Sequence, residues 1–591
     1  MQINQLKINN FVCFEDATIK FNTLNYIIGQ NNIGKTLSLQ LIEQFFSNQQ
    51  ERYRFFNLEQ FIDKKKPIEL WLTFKNFNIK EIAAFEAYFS NLDSSNPQDI
   101  ELILKIKVEN HEDEIEINPF VIIDEMEEKN FAVYKRLLEN YYFMLISSTN
   151  DVKATINLRN RKGIFTKILE KILDSSMKDE LIAIIEKINL NLNKRGSIKE
   201  FNHKLKEKLR DLFEYDTRLA ILDPSLEFGL STEEKLLYNF QILLRQESKE
   251  FQPTEIGDGL KNFFINTLFQ IYLESEYKSN SNSFSILIDE PEIHLHPHSQ
   301  RYLISFWRNV IQELIGEDSE NYQLIVSTHS SNIPFPTEES NYLFYHKSLN
   351  NMTTVNSKSI QQYKDKKLKK WILNTLQIFP DIIFARKIII IEGKTDWWYI
   401  KYFSMKDERY DLNHKGISLR YVGSCSEIEN AVEANNFFEK SIKVIIDDDK
   451  GDNSEIEARL KSKKVEVFKI DNAIESLIGK ALTIPSLFKI IKDIAENQSQ
   501  FSNVSKIISK IITYHNKKFD KQIDSFEMLE EIFNQYEKID QIELVKLLRK
   551  GLISILSKNK TEYMCFVVGN IIVKEDIREE IRAILEFICK D

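Results

Sequence analysis

The sequence predicts a multidomain α/β protein, and three observations carry that prediction. Two separate stretches alternate strand-like apolar runs with helical periodicity. A glycine-containing loop joins a strand to a helix near the start, and strand tips in the second half end in carboxylates. At 591 residues the chain exceeds a single hydrophobic core, so several domains are expected. Hydrophobic residues make up 42% and charged residues 28%, which excludes a disordered or membrane-embedded class. No apolar run approaches the roughly 18 residues of a membrane span, and the opening MQINQLKINNF has no signal core. A cytoplasmic protein is therefore expected. Cys13, Cys425, Cys565 and Cys589 form no CxxC pair, which argues against a disulfide framework or a thiolate zinc site. The net charge of −10 carries no nucleic-acid signature, so any phosphate contact must be local, as at Lys64–Lys66, Lys364–Lys370 or Lys461–Lys464. Each of these basic runs reads more readily as a solvated face than as a DNA contact.

Residues 1–124 read as strands, in QLKINNF, ATIKFN, LNYIIG, IELWLTF and IELILKIKV. From 125 to 250 the pattern turns helical, as in LIAIIEKINLNLNK and FNHKLKEKLRDLF. Residues 251–365 return to strands at FSILIDEPE and YQLIVSTHS. A second alternation over 366–480 runs through ARKIIIIEG, ISLRYVG, IKVIIDDD and KVEVFKI, and 481–591 is helical again. The basic stretch YKDKKLKKWILN is the expected joint between the halves.

GQNNIGKT, from Gly29 to Thr36, fits the pattern GxxxxGK[ST] between a strand and a helix. Gly29 and Gly34 let the loop curl, with Asn32 inside it, so that backbone N–H groups face phosphates. Lys35 is expected to reach the β- and γ-phosphates of ATP, and the Thr36 hydroxyl to hold Mg²⁺. SILIDEPEIHLHP supplies the partner strand: Asp289 for the Mg²⁺ shell and Glu290 for the attacking water. His329, at the tip of the strand in VSTHS, is the candidate γ-phosphate sensor. His294, His296 and His298 alternate along a loop and are assigned no metal.

INNFVCFEDATIKF and IDEPEIHLHP resemble the opening hairpin and the DEPE-x-x-LHP element of ABC-type ATPases in the RecF/SMC/OLD branch. The resemblance implies an ATPase split by a helical insertion over 125–250, serving as a dimerisation or arm region. It also implies a signature loop reaching the nucleotide from a second subunit. TEIGDGLKNFF stands where that loop belongs, with Gly257 and Gly259 as its phosphate-approaching positions, although it departs from the serine-glycine-glycine signature of transporters. A homo-oligomer, at least a dimer, follows.

The second alternation raises a separate question in SIKVIIDDDKGDN: three aspartates at the tip of a buried strand repel one another unless a cation joins them. Glu392 ends an earlier strand, Asp396 follows on the first turn of a helix, and Asp447 and Asp449 share one side of the later strand. Hard oxygen ligands select Mg²⁺ or Mn²⁺. This EG…D and DxD pairing, with Gly423 between, resembles the TOPRIM domain of topoisomerases, primases and OLD nucleases. That resemblance implies a Rossmann-like domain, a third acidic position at Glu475 in NAIESLI, and a lysine near the end, Lys560 or Lys558, that assists phosphodiester cleavage.

The domain order resembles the OLD family, ATP-regulated DNA nucleases that include Gabija-type and retron-linked antiphage systems. The expected function is a Mg²⁺-dependent DNA endonuclease under ATP control. Its partners would be DNA, further copies of itself, and a companion such as a helicase or a retron reverse transcriptase–DNA complex, with no membrane. The alternative is a non-cutting DNA-clamp or repair ATPase with a degenerate TOPRIM module. A topoisomerase or primase would need machinery that the sequence does not display.

Overall fold

The structure is a computed structural model of the chain. It describes all residues except 90–99, 113, 148–154, 156–163, 173–195, 213–222, 229–239, 247–248, 281–282, 294, 316–321, 335, 349, 448–453, 471–472, 498–500, 502–503, 520–521 and 591. Two compact units form, Met1–Gln362 and Tyr363–Asp591.

The first unit begins with β1 (Gln2–Phe11), β2 (Phe14–Lys20), β3 (Leu24–Ile28) and β4 (Ile68–Lys75). It continues with β5 (Leu102–His111), β6 (Glu114–Ile123), β7 (Met126–Glu128) and β8 (Tyr141–Ile146). After β9 (Asp223–Phe228), β10 (Phe240–Gln246) and β11 (Lys249–Phe251) come β12 (Ser283–Asp289), β13 (Tyr322–Thr328), β14 (Ser340–Lys347) and β15 (Thr353–Ser359). One antiparallel sheet has the order β2-β1-β4-β5-β6-β7, and its β1–β2 hairpin is the one read in the sequence. The second sheet, β15-β14-β3-β13-β12-β8, is parallel except for β15 at its edge. Every residue of β12 is buried, so its apolar run Ile286–Ile288 packs on both faces while Ser285 and Asp289 must find hydrogen-bond partners.

Buried polar groups tie the two sheets together. The Gln323 side chain on β13 donates to the Ile3 carbonyl at 2.7 Å and to the Asn22 carbonyl at 2.8 Å. Its oxygen accepts from the Ser285 hydroxyl at 3.0 Å, so the amide is satisfied on both sides. This stitching holds β3 and β13, the strands that carry the nucleotide site, in register.

The helical expectation for 125–250 is met only in part. Helices cover Phe131–Asn140, Ile164–Ile172 and Gly196–Leu212. β8, however, pairs in parallel with β12 inside the central sheet, and β9–β11 form a small antiparallel sheet. The run YYFMLI is short and apolar, and periodicity cannot separate a buried strand from a buried helix at that length. The free edge of β12 decides it. The 124/125 border expected from the sequence therefore cuts off a strand of the central sheet.

In the second unit, β16 (Lys387–Ile391), β17 (Ile417–Tyr421), β18 (Ser441–Asp447) and β19 (Glu466–Ile470) form a fully parallel sheet ordered β17-β16-β18-β19. The order reverses direction between β16 and β18. In an open parallel sheet that switch point leaves a crevice at the carboxyl ends of the two strands. Helices after Ile474 bury their apolar faces in one core with the sheet, including Leu544, Leu548 and Leu552 from Lys538–Lys558. At the opposite edge Lys443 is 2% exposed, and its ammonium donates to the carbonyls of Phe587 and Lys590 at 3.0 and 2.8 Å. It thereby caps the Glu579–Cys589 helix. Replacing Lys443 with Met leaves the Phe587 carbonyl without this donor, whereas the Lys590 carbonyl keeps the Lys387 ammonium. We expect about 1–3 kcal/mol of destabilisation in urea titrations, with divalent-ion binding at the other edge of the sheet unchanged.

Candidate functional site

The first site is built where β3 meets the helix Lys35–Phe46. Gly34 adopts a φ of 94°, and a Cβ there would lie 2.6 Å from the Phe14 ring and 2.8 Å from Cys13 Sγ, so only glycine fits. Gly29 is equally tight against Tyr345, and Asn32 takes a φ of 56° within the loop. The resulting cavity, about 910 Å³, is lined by Asn32, Gly34, Lys35, Thr36, Glu290 and His329 among others.

The Thr36 hydroxyl donates to Asp289 Oδ1 at 2.9 Å, and Ser327 also donates to that carboxylate. Thr36 and Asp289 thus converge from separate elements on one point, which suits a hard cation such as Mg²⁺. The Lys35 ammonium donates to the carbonyls of Gly29 and Gln30 at 3.1 and 2.9 Å and lies 2.6 Å from His329 Nε2. Burial pulls the Lys35 pKa down to about 8, against the opposing pull of Glu290, Asp289 and Glu292. Glu290 stands 3.2 Å from His329 Nε2 and holds a left-handed φ of 45°, strain that a non-glycine residue adopts only where its surroundings enforce it. Burial and the Lys35 charge lower the His329 pKa, opposed by Glu290 and Asp289.

Sequence reading passed over Glu292. Its carboxylate accepts from the Thr328 hydroxyl at 2.9 Å and from the His329 backbone N–H, so it fixes the loop that presents His329. Its place as the last residue of DEPE was visible, but its partners on β13 were not. Gly257 and Gly259 open the helix Asp258–Asn280, Gly257 is exposed, and neither lines the cavity.

The second site lies at the switch point of the parallel sheet. Ile391 pairs with Ile445, so Glu392 and Asp447 leave adjacent strands near the same level. Gly393 N-caps the helix Lys394–Ser404, and Asp396 sits three residues on, accepting from the Gly393 N–H. A Cβ on Gly393 would come within 2.3 Å of Asp396 Oδ2, so this glycine makes room for the carboxylate. The other oxygen, Oδ1, is buried and has no hydrogen bond among the described residues. Burial first, then the charges of Glu475 and Glu392, push the Asp396 pKa up to about 7.

Glu475, 1% exposed on the first turn of Ile474–Ala481, pairs with Lys560 at 3.2 Å. Burial lowers the Lys560 pKa, but Glu475, Asp396 and Asp447 outweigh it, and the net shift is upward. Lys558, the last residue of its helix, is exposed. Gly423, with a φ of 93°, donates its N–H to the Glu392 carbonyl at 2.8 Å and pins that strand tip. Asp449 and His294 lie outside the described residues. Among the described residues, no three His, Cys, Asp or Glu side chains close around one point. The oxygen-only donor set, the unbonded buried Asp396 oxygen and its raised pKa nevertheless fit a divalent cation: the crowding that disfavours ionisation is what such an ion relieves.

Residues 1–333, more than half of the chain, match the AAA ATPase domain family. The chain belongs to that family. Residues 383–449 of this AAA ATPase-family chain match the TOPRIM domain of overcoming lysogenization defect protein-like proteins. Endonuclease GajA of Bacillus cereus (strain HuB5-5) is 23% identical, over 67% of this chain and 66% of its own length. OLD nuclease of Thermus scotoductus is 20% identical over 56% and 59%, and Old nuclease of Escherichia phage P2 is 25% identical over 43% and 45%. The chain thus spans at most two thirds of the length of these relatives. An SMC head bound to the C-winged helix domain of ScpA aligns at a TM-score of 0.40 and 13% identity, over 61% of this chain and 99% of that one, too distant to carry an argument.

The sign of the Asp396 effect gives a stability test. A carboxyl whose folded pKa is raised binds its proton more tightly when folded, so stability is present at low pH and lost as pH rises from about 4 towards 7. Asp396→Asn removes that loss. In metal-free protein its melting temperature should pull ahead of wild type across this window, and Mn²⁺ should close the gap by stabilising wild type alone.

Proposed function

We propose that this chain is an ATP-regulated, divalent-metal-dependent DNA endonuclease of the OLD family, acting in antiphage defence as a cytoplasmic homo-oligomer. The observation that carries the reading is the convergence of Glu392, Asp396, Asp447 and Glu475 on one sheet edge beside Lys560. That edge is where parallel α/β folds bind ligands.

A Mg²⁺ or Mn²⁺ ion bound there would lower the pKa of a water and offset charge on a scissile phosphate. Glu392 and Asp447 would hold it from the strand tips and Asp396 and Glu475 from two helix starts, and Asp449, two positions after Asp447 in the sequence, would join them. Lys560, paired with Glu475 in the ion-free protein, turns to the phosphate oxygens and stabilises charge developing on them. In the first unit, Lys35 exchanges the Gly29 and Gln30 carbonyls for the β- and γ-phosphates of ATP, with Mg²⁺ on Thr36 and Asp289. Glu290 orients the attacking water and His329 reads the γ-phosphate, while Gly257 and Gly259 close the site of a neighbouring copy. A helicase or a retron reverse transcriptase–DNA complex fits as a companion.

A non-cutting DNA-clamp ATPase is the second reading, favoured by the lack of a closed ligand shell among the described residues. Plasmid nicking separates the two. Wild type should nick with Mg²⁺ or Mn²⁺ and stop in EDTA. Asp447→Ala should lose at least about a hundredfold in rate, and Lys560→Ala about 10²–10³-fold. Wild-type rates no higher than those of Asp447→Ala would leave the clamp. If ATP controls cutting, Lys35→Ala should cut at one rate with or without nucleotide; retained ATP sensitivity would refute the coupling.

A further inference from the structure

The helix Lys394–Ser404 has two working faces. Asp396, Tyr399, Ile400 and Phe403 are buried towards the carboxylates and the core. Lys394, Trp397, Trp398, Lys401, Ser404 and Met405, at three- and four-residue spacing, line a cavity of about 480 Å³ on the other side. Phe379 and Tyr421 complete its aromatic wall. Tyr421 stands 6.2 Å from Trp397 at 72° and 5.3 Å from Phe379 at 86°, and Trp397 stands 4.7 Å from Trp398 at 83°. Trp398 stacks on Tyr402 at 5.8 Å and 24°, whereas Trp397 and Tyr421 meet their neighbours in the wall only edge to face.

Cations sit on those faces. Lys401 Nζ lies 4.6 Å from the centre of the Trp397 ring, and Lys394 Nζ lies 5.8 Å from that of Tyr421 while pairing with Glu562. The acids at the cavity are already engaged: Asp381 accepts from Ser418 at 2.6 Å, and Asp411 from the His414 N–H at 2.9 Å. Trp398 carries a buried indole N–H without an acceptor among the described residues.

We propose that this cavity takes one unpaired nucleobase of the strand held at the neighbouring carboxylates, stacked against Trp397 and Tyr421. The inference rests on the nuclease reading for the identity of that strand. Stacking on aromatic rings with basic side chains along the backbone is the chemistry that holds single strands without regard to sequence. Lys401 leaves the ring for the adjoining phosphate as the base enters. A single cation–π contact on the partly buried Trp397 ring is weak beside a lysine–phosphate pair, so the exchange is permitted. The helix then serves two ends: its buried face contributes Asp396, and its opposite face holds a nucleotide of the same strand.

The test uses the full chain in EDTA, with intrinsic fluorescence from its five tryptophans, titrated with oligothymidylate, dTMP and blunt duplex. Oligothymidylate should quench the emission at lower concentration than either of the others. Trp397→Leu should weaken its binding roughly 5- to 100-fold, with Trp397→Phe retaining most of it. Lys401→Ala, on a half-exposed side chain, should weaken it and reduce the salt slope by about one phosphate. Melting temperatures separate lost binding from lost folding. Absence of quenching, unchanged binding in Lys401→Ala, or dTMP binding as tightly as the oligonucleotide would overturn the proposal. Plasmid nicking distinguishes its failure from that of the nuclease reading. Nicking with unaltered strand binding in both variants removes the cavity alone, whereas variant-sensitive quenching without nicking keeps the cavity and removes the nuclease.

Discussion

Carboxylates gathered at the closed end of a parallel sheet repel one another, and that repulsion governs the second unit. Its strands are apolar, with all five residues of β16 buried, so the sheet edge screens charge poorly. Into this edge the topology brings Glu392 and Asp447 from strands either side of the switch point, and two helix starts add Asp396 and Glu475. The protein tolerates the arrangement by local devices. Asp396 borrows the Gly393 N–H, Glu475 takes Lys560, and the Gly423 turn fastens the Glu392 strand tip. Burial first, and then the charges of Glu475 and Glu392 that these devices leave unneutralised, hold the Asp396 proton tightly. Carboxyls perturbed in this way, by burial together with specific charged neighbours, cluster at functional sites.

The first unit solves the opposite problem. There a cation, Lys35, is buried, and its own loop supplies the acceptors. Thr36 and Asp289 are already hydrogen-bonded, and Glu292 anchors the His329 backbone, so little rearrangement separates this geometry from one that grips phosphates. The preorganisation lies in the backbone: Gly34 in the left-handed region and Glu290 in the same region without being a glycine. The two units thus each place charged groups at the carboxyl ends of parallel strands, one poised around a lysine and the other around acids.

Much of this was legible in the sequence because the decisive features are local. The phosphate loop is eight residues between a strand and a helix, and Gly393 precedes Asp396 by three positions, so spacing alone places both groups. Two strands of the second alternation, KIIII and SIKVIID, are rich in β-branched isoleucine and valine, which favours strand over helix. What was not legible depends on distant partners. YYFMLI became a strand because β12 had a free edge, and Glu292 gained its task from Thr328 and His329 across the sheet. The aromatic cavity draws on Phe379, Tyr421 and Glu562, which come from distant parts of the second unit's sequence, and the sequence showed only an unexplained Trp-Trp pair. Asp449, read from the alternation of a strand, falls after the last described residue of β18.

The Lys560–Glu475 pair shows how the second site can be both folded and ready. Glu475 is buried and fixed at a helix start, whereas the Lys560 side chain is 47% exposed on a loop between two helices. An ion pair with so wet a partner contributes on the order of 1 kcal/mol or less. A divalent ion at a hundred times its dissociation constant stabilises the folded state by about 2.7 kcal/mol. A divalent ion bound there would win Glu475 and release Lys560 on a flexible stem within reach of the same carboxylates. The Lys560–Glu475 contact is thus the one that a bound metal would most easily dissolve, and the cation it freed would stand where an incoming phosphate needs one.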